Sequence, residues 1–179
     1  ASLGLNMTQL MANLPANRDA YLAKTKGKHK IFDAGIIHKN TVEQVCKQYK
    51  PSLIIFDQID KIHGFTNDRE DLRLGAMYNW ARELAKEYCP VIAVCQADGT
   101  GEGQKWLSMA NVANAKTSKQ AEADWIVGIG KIHDPGYENV RYLHASKNKL
   151  IGDEDSIPDM RHGRKEVIIN PGVARYEDI

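Results

Sequence analysis

Asp57 and Gln96 are the two residues of this chain best placed to do chemistry. Each ends an apolar run: Asp57 follows Leu53-Ile54-Ile55-Phe56, and Gln96 follows Val91-Ile92-Ala93-Val94-Cys95. Apolar runs without alternation are expected of parallel strands covered on both faces. In open α/β sheets ligands bind at the carboxyl ends of such strands, so a carboxylate there can meet a phosphate-bound Mg2+, directly or through water. A neutral amide on the next strand can donate to the γ-phosphate or orient the attacking water, and so register whether that phosphate is present. An acid after an apolar strand also serves as a simple cap or loop residue, and Asp60 competes with Asp57 for either role.

The surrounding sequence supplies elements to position these two groups. Residues Asn6 to Thr25 read as helix interrupted at Pro15, with Met7, Leu10, Met11 and Leu14 on one face. Lys24 to Lys30 is a basic loop, and Ile31 to Gly35 reads as a short strand. Asn40 or Thr41 caps a helix to about Tyr49, which turns Val42, Val45 and Cys46 inward and completes a βαβ unit with the Asp57 strand. Asp68 caps a longer helix to about Tyr88, whose Leu74, Met77, Ala81, Leu84 and Tyr88 step by threes and fours, the stripe of a helix lying on a sheet. That helix fills the whole connection between the two apolar strands, which makes them parallel. Downstream the pattern changes. Asp98 to Lys105 is Gly-rich and polar, within a long loop expected to run to Ala115. Lys116 to Glu122 reads as a short helix, Trp125 to Ile129 and Val140 to Ser146 as strands, and Lys165 to Tyr176 as a hairpin about Asn170-Pro171-Gly172. This late run predicts an antiparallel extension on a parallel core.

Bulk properties restrict the function classes. The 179 residues are 42% apolar and 26% charged, which suits one globular domain with a sizeable core. The formal net charge of +1 gives no general field for nucleic acid, so any such contact must come from a local patch. Cys46, Cys89 and Cys95 lack paired spacing and suggest a reduced, cytoplasmic protein. No apolar run approaches a membrane span, and none of the chain reads as a targeting segment. The start at Ala1, without an initiator Met, reads as a piece of a longer chain.

Four motifs in order make a specific resemblance. Leu53 to Asp57, Val91 to Gln96, Gln120 to Asp124, and Ser146-Lys147-Asn148-Lys149 resemble the motifs of the RecA-like core of DnaB-family hexameric replicative helicases, most closely the helicase half of phage primase-helicases. The resemblance runs over nearly the whole chain, residues 1–179, and implies a three-layer α/β domain with a mostly parallel sheet, lacking its first P-loop strand and helix. It implies that Asp57 is the Walker B acid and Mg2+ ligand, that Gln96 is the sensor at the next strand end, and that both meet ATP or another NTP or dNTP. The loop Gly99 to Asn114 takes the place of a central-channel loop gripping single-stranded DNA, with Lys105, Asn111, Asn114 and Lys116 as contacts. Lys147 and Lys149 match a Lys-x-Arg pair that reaches the neighbouring subunit's nucleotide. The intact protein is then expected to be a hexameric ring that translocates on single-stranded DNA, with primase as a further partner, in the host cytoplasm if phage-encoded.

The departures are specific too. Lys149 stands where the family has Arg, and an ammonium cannot reproduce a bidentate guanidinium fork. Asn111-Val112-Ala113 stands in place of Asp-Leu-Arg, and Gln120 is one residue out of register with Asp124. No Gly-x-x-x-x-Gly-Lys-Ser/Thr occurs. Gly99 to Gly103 is not a P-loop, because it lacks Gly-Lys-Thr and opens no helix after a strand. The family's P-loop and catalytic glutamate fall upstream, so these residues alone are expected not to hydrolyse nucleotide.

Plainer readings stand beside these. Lys147 and Lys149 also fit edge-strand lysines. The six histidines have no metal spacing. Asp153, Glu154 and Asp155 fit a solvated turn or a cation loop. Trp106 falls in the presumed DNA loop. A RecA-type recombinase shares the two strand-end residues, and a non-catalytic DNA-binding or assembly module accounts for the absent P-loop.

Overall fold

The computed structural model describes residues 3–33, 37–112, 120–150 and 162–179. Its centre is a parallel pair, β1 (Ile54–Phe56) and β2 (Val91–Ala93), with Ile54 opposite Val91 and Phe56 opposite Ala93. Main-chain bonds from Ile54 N–H to Pro90 O and from Val94 N–H to Phe56 O extend the pairing at both ends. One face is covered by α3 (Lys39–Tyr49) and α4 (Glu70–Glu87). Leu74, Met77, Tyr78, Ala81 and Leu84 of α4 form the core with Phe56, Ile59 and Ile62, and Val42, Ile54, Val91 and Ala93 pack against it. The stripe read from the sequence is therefore the buried one. Trp80 Nε1 donates to Glu43 Oε1 at 2.9 Å and ties the two helices together.

The other four strands form a separate antiparallel sheet in the order β3 (Trp125–Gly130), β4 (Val140–Asn148), β5 (Arg164–Asn170), β6 (Arg175–Asp178). The expected antiparallel extension and closing hairpin are both present. The sheet is not mostly parallel, however, because among the described strands only β1 and β2 run parallel. Arg82 of α4 joins the two parts, donating to the carbonyl of Glu122 and pairing with Asp124 at 3.3 Å.

Several local expectations are corrected. Residues 31–33 form no strand, Ile31 is 88% exposed, and residues 34–36 lie outside the described residues. The α3 cap is His38, whose Nδ1 accepts from Asn40 N–H at 3.3 Å, and α4 starts after Arg69 without a side-chain cap. The N-terminal helix breaks at Asn13 into α1 (Met7–Ala12) and α2 (Leu14–Thr25), and Asn13 caps the second piece by accepting from Ala16 N–H. The apolar faces of these helices are not packed: Met7, Met11 and Leu14 are exposed.

The parallel strands are covered on one face only. Leu53, Ile55, Ile92 and Val94 share the opposite face by their alternation, and Ile55 and Ile92 are 60% and 49% exposed. An apolar face of this kind marks a contact surface or an aggregation liability. The 179-residue chain should therefore bind a hydrophobic dye such as ANS while keeping its circular dichroism, and Ile55→Lys with Ile92→Lys should remove most of that signal. Dye binding unchanged by the double substitution would mean the face is covered.

Candidate functional site

Asp57 and Gln96 lie on one rim. Each follows the carboxyl end of its strand, the strands are parallel neighbours, and both side chains are exposed. The local chain explains the placement of Asp57. Gln58 adopts a left-handed conformation (φ 62°, ψ 72°), and the 3-10 turn Ile59–Lys61 then drops Ile59 into the core, fully buried. Burial of Ile59 forces the chain to turn directly after Asp57, which holds the carboxylate at the edge. A left-handed non-glycine residue costs on the order of 1 kcal/mol, a strain often found at functional sites. Asp57 and Gln96 have no hydrogen-bond or ion-pair partner among the described residues, so both remain available to a ligand.

Asp60, the other acid of the turn, differs from Asp57 in having a side-chain partner. Tyr78 Oη donates to Asp60 Oδ1 at 3.2 Å, on the buried side of the turn. Burial, with Cys95 and Asp60 beside it, pushes the Tyr78 phenol far above the ordinary tyrosine value. Asp60 therefore props the turn from behind while Asp57 faces outward.

The distal end of β4 carries the two lysines. Lys147 is half-buried, and its ammonium donates to the carbonyl of Gln120. Burial, then the adjacent Lys149 ammonium, lowers its pKa from the ordinary lysine value. Lys149 is exposed, its backbone N–H donates to Asp124 O at 2.8 Å, and its ammonium has no carboxylate partner among the described residues. Lys147 is thus engaged within the chain and Lys149 faces outward. No hydrogen bond or ion pair links either lysine to Asp57 or Gln96 among the described residues.

The Gly-rich stretch is not the structureless loop expected from its composition. Two 3-10 turns, Gly99–Gly101 and Met109–Asn111, shape it. Asn111 is only 6% exposed; its Oδ1 accepts from Ser108 N–H at 2.8 Å and from Ser108 Oγ at 3.0 Å, and its Nδ2 donates to Thr100 Oγ1 at 3.1 Å. This buried amide, bonded through both its oxygen and its nitrogen, shapes the loop from within. Lys105 is paired with Glu166 at 2.7 Å and lies over the rings of Trp106 and Tyr142. Trp106 packs edge-on against Tyr142, so it forms part of a small core on the antiparallel sheet. Asn114, Lys116 and the acids Asp153, Glu154 and Asp155 lie outside the described residues.

Sequence reasoning missed how this loop is seated. Residues 104–107 cross the antiparallel sheet over Gly130 and Gly128: a Cβ on Gly130 would stand 2.6 Å from Gln104 O, and one on Gly128 would stand 2.8 Å from Leu107 O. Leu107 O also meets His144 Nδ1 at 2.7 Å. The signal was present as Gly128-Ile129-Gly130 in an apolar strand, since glycine inside a strand marks a close backbone approach. Glu166, three strands away from the loop in the chain order, left no local signal. Among the described residues there is no group of three or more His, Cys, Asp or Glu side chains placed to hold a metal ion. No helix among the described residues is long and apolar enough to cross a membrane.

The fold to which this geometry belongs is that of the ATPase domains of DnaB-like helicases. The chain is similar to the ATPase domain of a phage helicase, with TM-score 0.74 and 15% identity, covering 98% of this chain and 66% of that one. It is also similar to a DnaB-like replicative helicase solved for its interactions with primase, with TM-score 0.69 and 14% identity, covering 84% of this chain and 37% of that one. The chain thus spans just under two thirds of the first and little more than a third of the second. No family model and no curated protein matches it.

Two outcomes follow for stability. Asn111→Ala should destabilise the chain by about 1–3 kcal/mol in urea unfolding, because it orphans buried partners; an unchanged midpoint would mean the loop does not depend on that amide. The native state keeps the Tyr78 phenol protonated, whereas the unfolded chain ionises it near pH 10. The stability this contributes is fully present below about pH 10 and is lost as pH rises further. Tyr78→Phe should therefore flatten the fall in urea midpoint between about pH 9 and 11, and a slope equal to that of the wild type would contradict the assignment.

Proposed function

We propose that this chain is part of the motor of an NTP-dependent replicative DNA helicase. The observation that carries the reading is the pairing of an exposed, unpartnered acid and amide on one rim of a parallel strand pair, in a chain with the DnaB-like ATPase fold. Asp57 helps hold Mg2+ on the nucleotide, directly or through water, and Gln96 senses the terminal phosphate or orients the attacking water. The remaining ligands of the triphosphate come from parts of the ATPase domain that have no counterpart in these residues, and the open face of β1 and β2 suits the rest of such a domain.

Lys149 acts in trans, reaching a neighbouring subunit's nucleotide in a hexameric ring, where its charge stabilises the transferring phosphoryl group. Lys147 holds the strand end in place through Gln120. The loop Gly99–Asn114 and Lys116 face single-stranded DNA, with primase a further partner, and hydrolysis drives translocation and unwinding. Without a Walker A segment the 179 residues do not turn over nucleotide alone.

In the intact protein, Asp57→Asn should reduce DNA-stimulated ATP hydrolysis about 100-fold or more, and Lys149→Ala should do so while leaving nucleotide binding within a few-fold of wild type. Hydrolysis within about twofold of wild type for Asp57→Asn would contradict the motor reading, as would turnover by the 179 residues alone.

A further inference from the structure

Arg82 of α4 sends its side chain to the junction that precedes β3. Its Nη1 donates to the carbonyl of Glu122 at 2.5 Å and stands 3.3 Å from Asp124 Oδ1, while Nε stands 3.7 Å from Glu122 Oε2. A planar guanidinium holds several acceptors in fixed relation, which a single ammonium cannot do. Residues 120–122 are helical, and the last carbonyls of a helix need donors from outside it. Cations from two other elements supply them: Arg82 from α4 meets Glu122 O, and Lys147 from β4 meets Gln120 O.

The same junction fixes where β4 ends. Trp125 pairs with Asn148, the last residue of β4, and one step beyond it the Lys149 N–H donates to Asp124 O at 2.8 Å. The register of β3 on β4 shifts between Ile126 and Val127, so the ladder beside Lys147 is irregular and the Asp124 contact anchors its end. Burial lowers the Lys147 pKa and the Asp124 charge opposes that shift, so this acid is close enough to act on the lysine pair. Arg82 occupies the Asp124 carboxylate, and the Lys149 ammonium is left without a carboxylate partner among the described residues.

We propose that Arg82 is a positioning residue for Lys149, holding residues 122–124 and their carboxylates so that the Lys149 ammonium projects from the end of β4 toward the neighbouring subunit's nucleotide. The inference rests on the motor reading and on the trans role of Lys149 within it. Arg82 touches neither nucleotide nor metal. It acts twice through Asp124, whose carbonyl seats the Lys149 backbone and whose carboxylate is kept from the Lys149 ammonium.

The test mixes variants of the intact protein within one ring and reads DNA-stimulated ATP hydrolysis. Alone, Arg82→Gln should lower kcat about 10-fold with KM within about twofold of wild type, and its thermal melt and ring size should match wild type. In a mixed ring a site is whole when one subunit supplies the Asp57 rim and its neighbour supplies the lysine. Equal parts of Arg82→Gln and Asp57→Asn should therefore hydrolyse about fivefold faster than the mean of the two unmixed rings, whereas Arg82→Gln with Lys149→Ala should show no gain. A purely structural defect would spoil both roles of the subunit and give no gain with either. Should Arg82→Gln melt early, Arg82→Lys, which keeps the charge, takes the same test with a gain of about twofold expected. A gain with Lys149→Ala in place of Asp57→Asn, a gain with neither, or wild-type hydrolysis in Arg82→Gln would overturn the proposal while the motor reading stands. Failure of Asp57→Asn and Lys149→Ala to complement each other would overturn the trans role of Lys149 and the proposal with it.

Discussion

Parallel pairing of Ile54–Phe56 with Val91–Ala93 is the constraint on which the candidate site depends. The pair is only three residues long on each side, too short to persist without support. Its support is α4, which presses Leu74, Met77, Ala81 and Leu84 onto one face and, through its length, sets the distance the chain travels between the two strands. Because the strands run the same way, whatever follows Phe56 and whatever follows Cys95 emerge on the same side. An antiparallel pair would have sent Asp57 and Gln96 to opposite ends. The site is therefore a consequence of topology, refined by the burial of Ile59 that turns the chain immediately after Asp57.

The second part of the molecule is organised differently. In the antiparallel sheet the buried side chains among the described residues are Tyr142, Val167 and Ser146, with Leu107 packed down from the loop. Tyr142 is wholly enclosed and its hydroxyl finds no protein partner among the described residues. The two glycines of β3 exchange side-chain packing for close backbone contact, so the loop after Gln96 is attached to the sheet that ends in Lys147 and Lys149. Arg82 adds a second attachment between α4 and the start of β3.

Much of this was legible in the sequence, and the reasons are physical. The stripe of α4 was read correctly because a helix lying on a sheet must repeat its apolar residues at 3.6-residue spacing, and nothing in Leu74 to Leu84 competes with that pattern. Asp57 and Gln96 were legible because each breaks an apolar run abruptly. Continuous apolar character in β1 and β2 also predicted cover on both faces, and this failed: alternation records which residues can be buried, while what buries Ile55 and Ile92 need not be present in the chain. Ile31 to Gly35 has strand propensity, yet residues 31–33 form no strand, because suitable residues alone do not make one. Asn111 and Lys105 looked like loop residues free to meet a ligand. Their partners, Thr100 and Glu166, are brought to them only by folding, and Glu166 lies 61 positions beyond Lys105.

The central claim is that the rim bearing Asp57 and Gln96 faces the phosphates of a metal-bound nucleotide. A structure of the intact protein with Mg2+ and a non-hydrolysable NTP tests it most directly. The account predicts the Asp57 carboxylate on the metal or on one of its waters, with the Gln96 amide beside the terminal phosphate. A triphosphate bound elsewhere, with both side chains left in solvent, would contradict it.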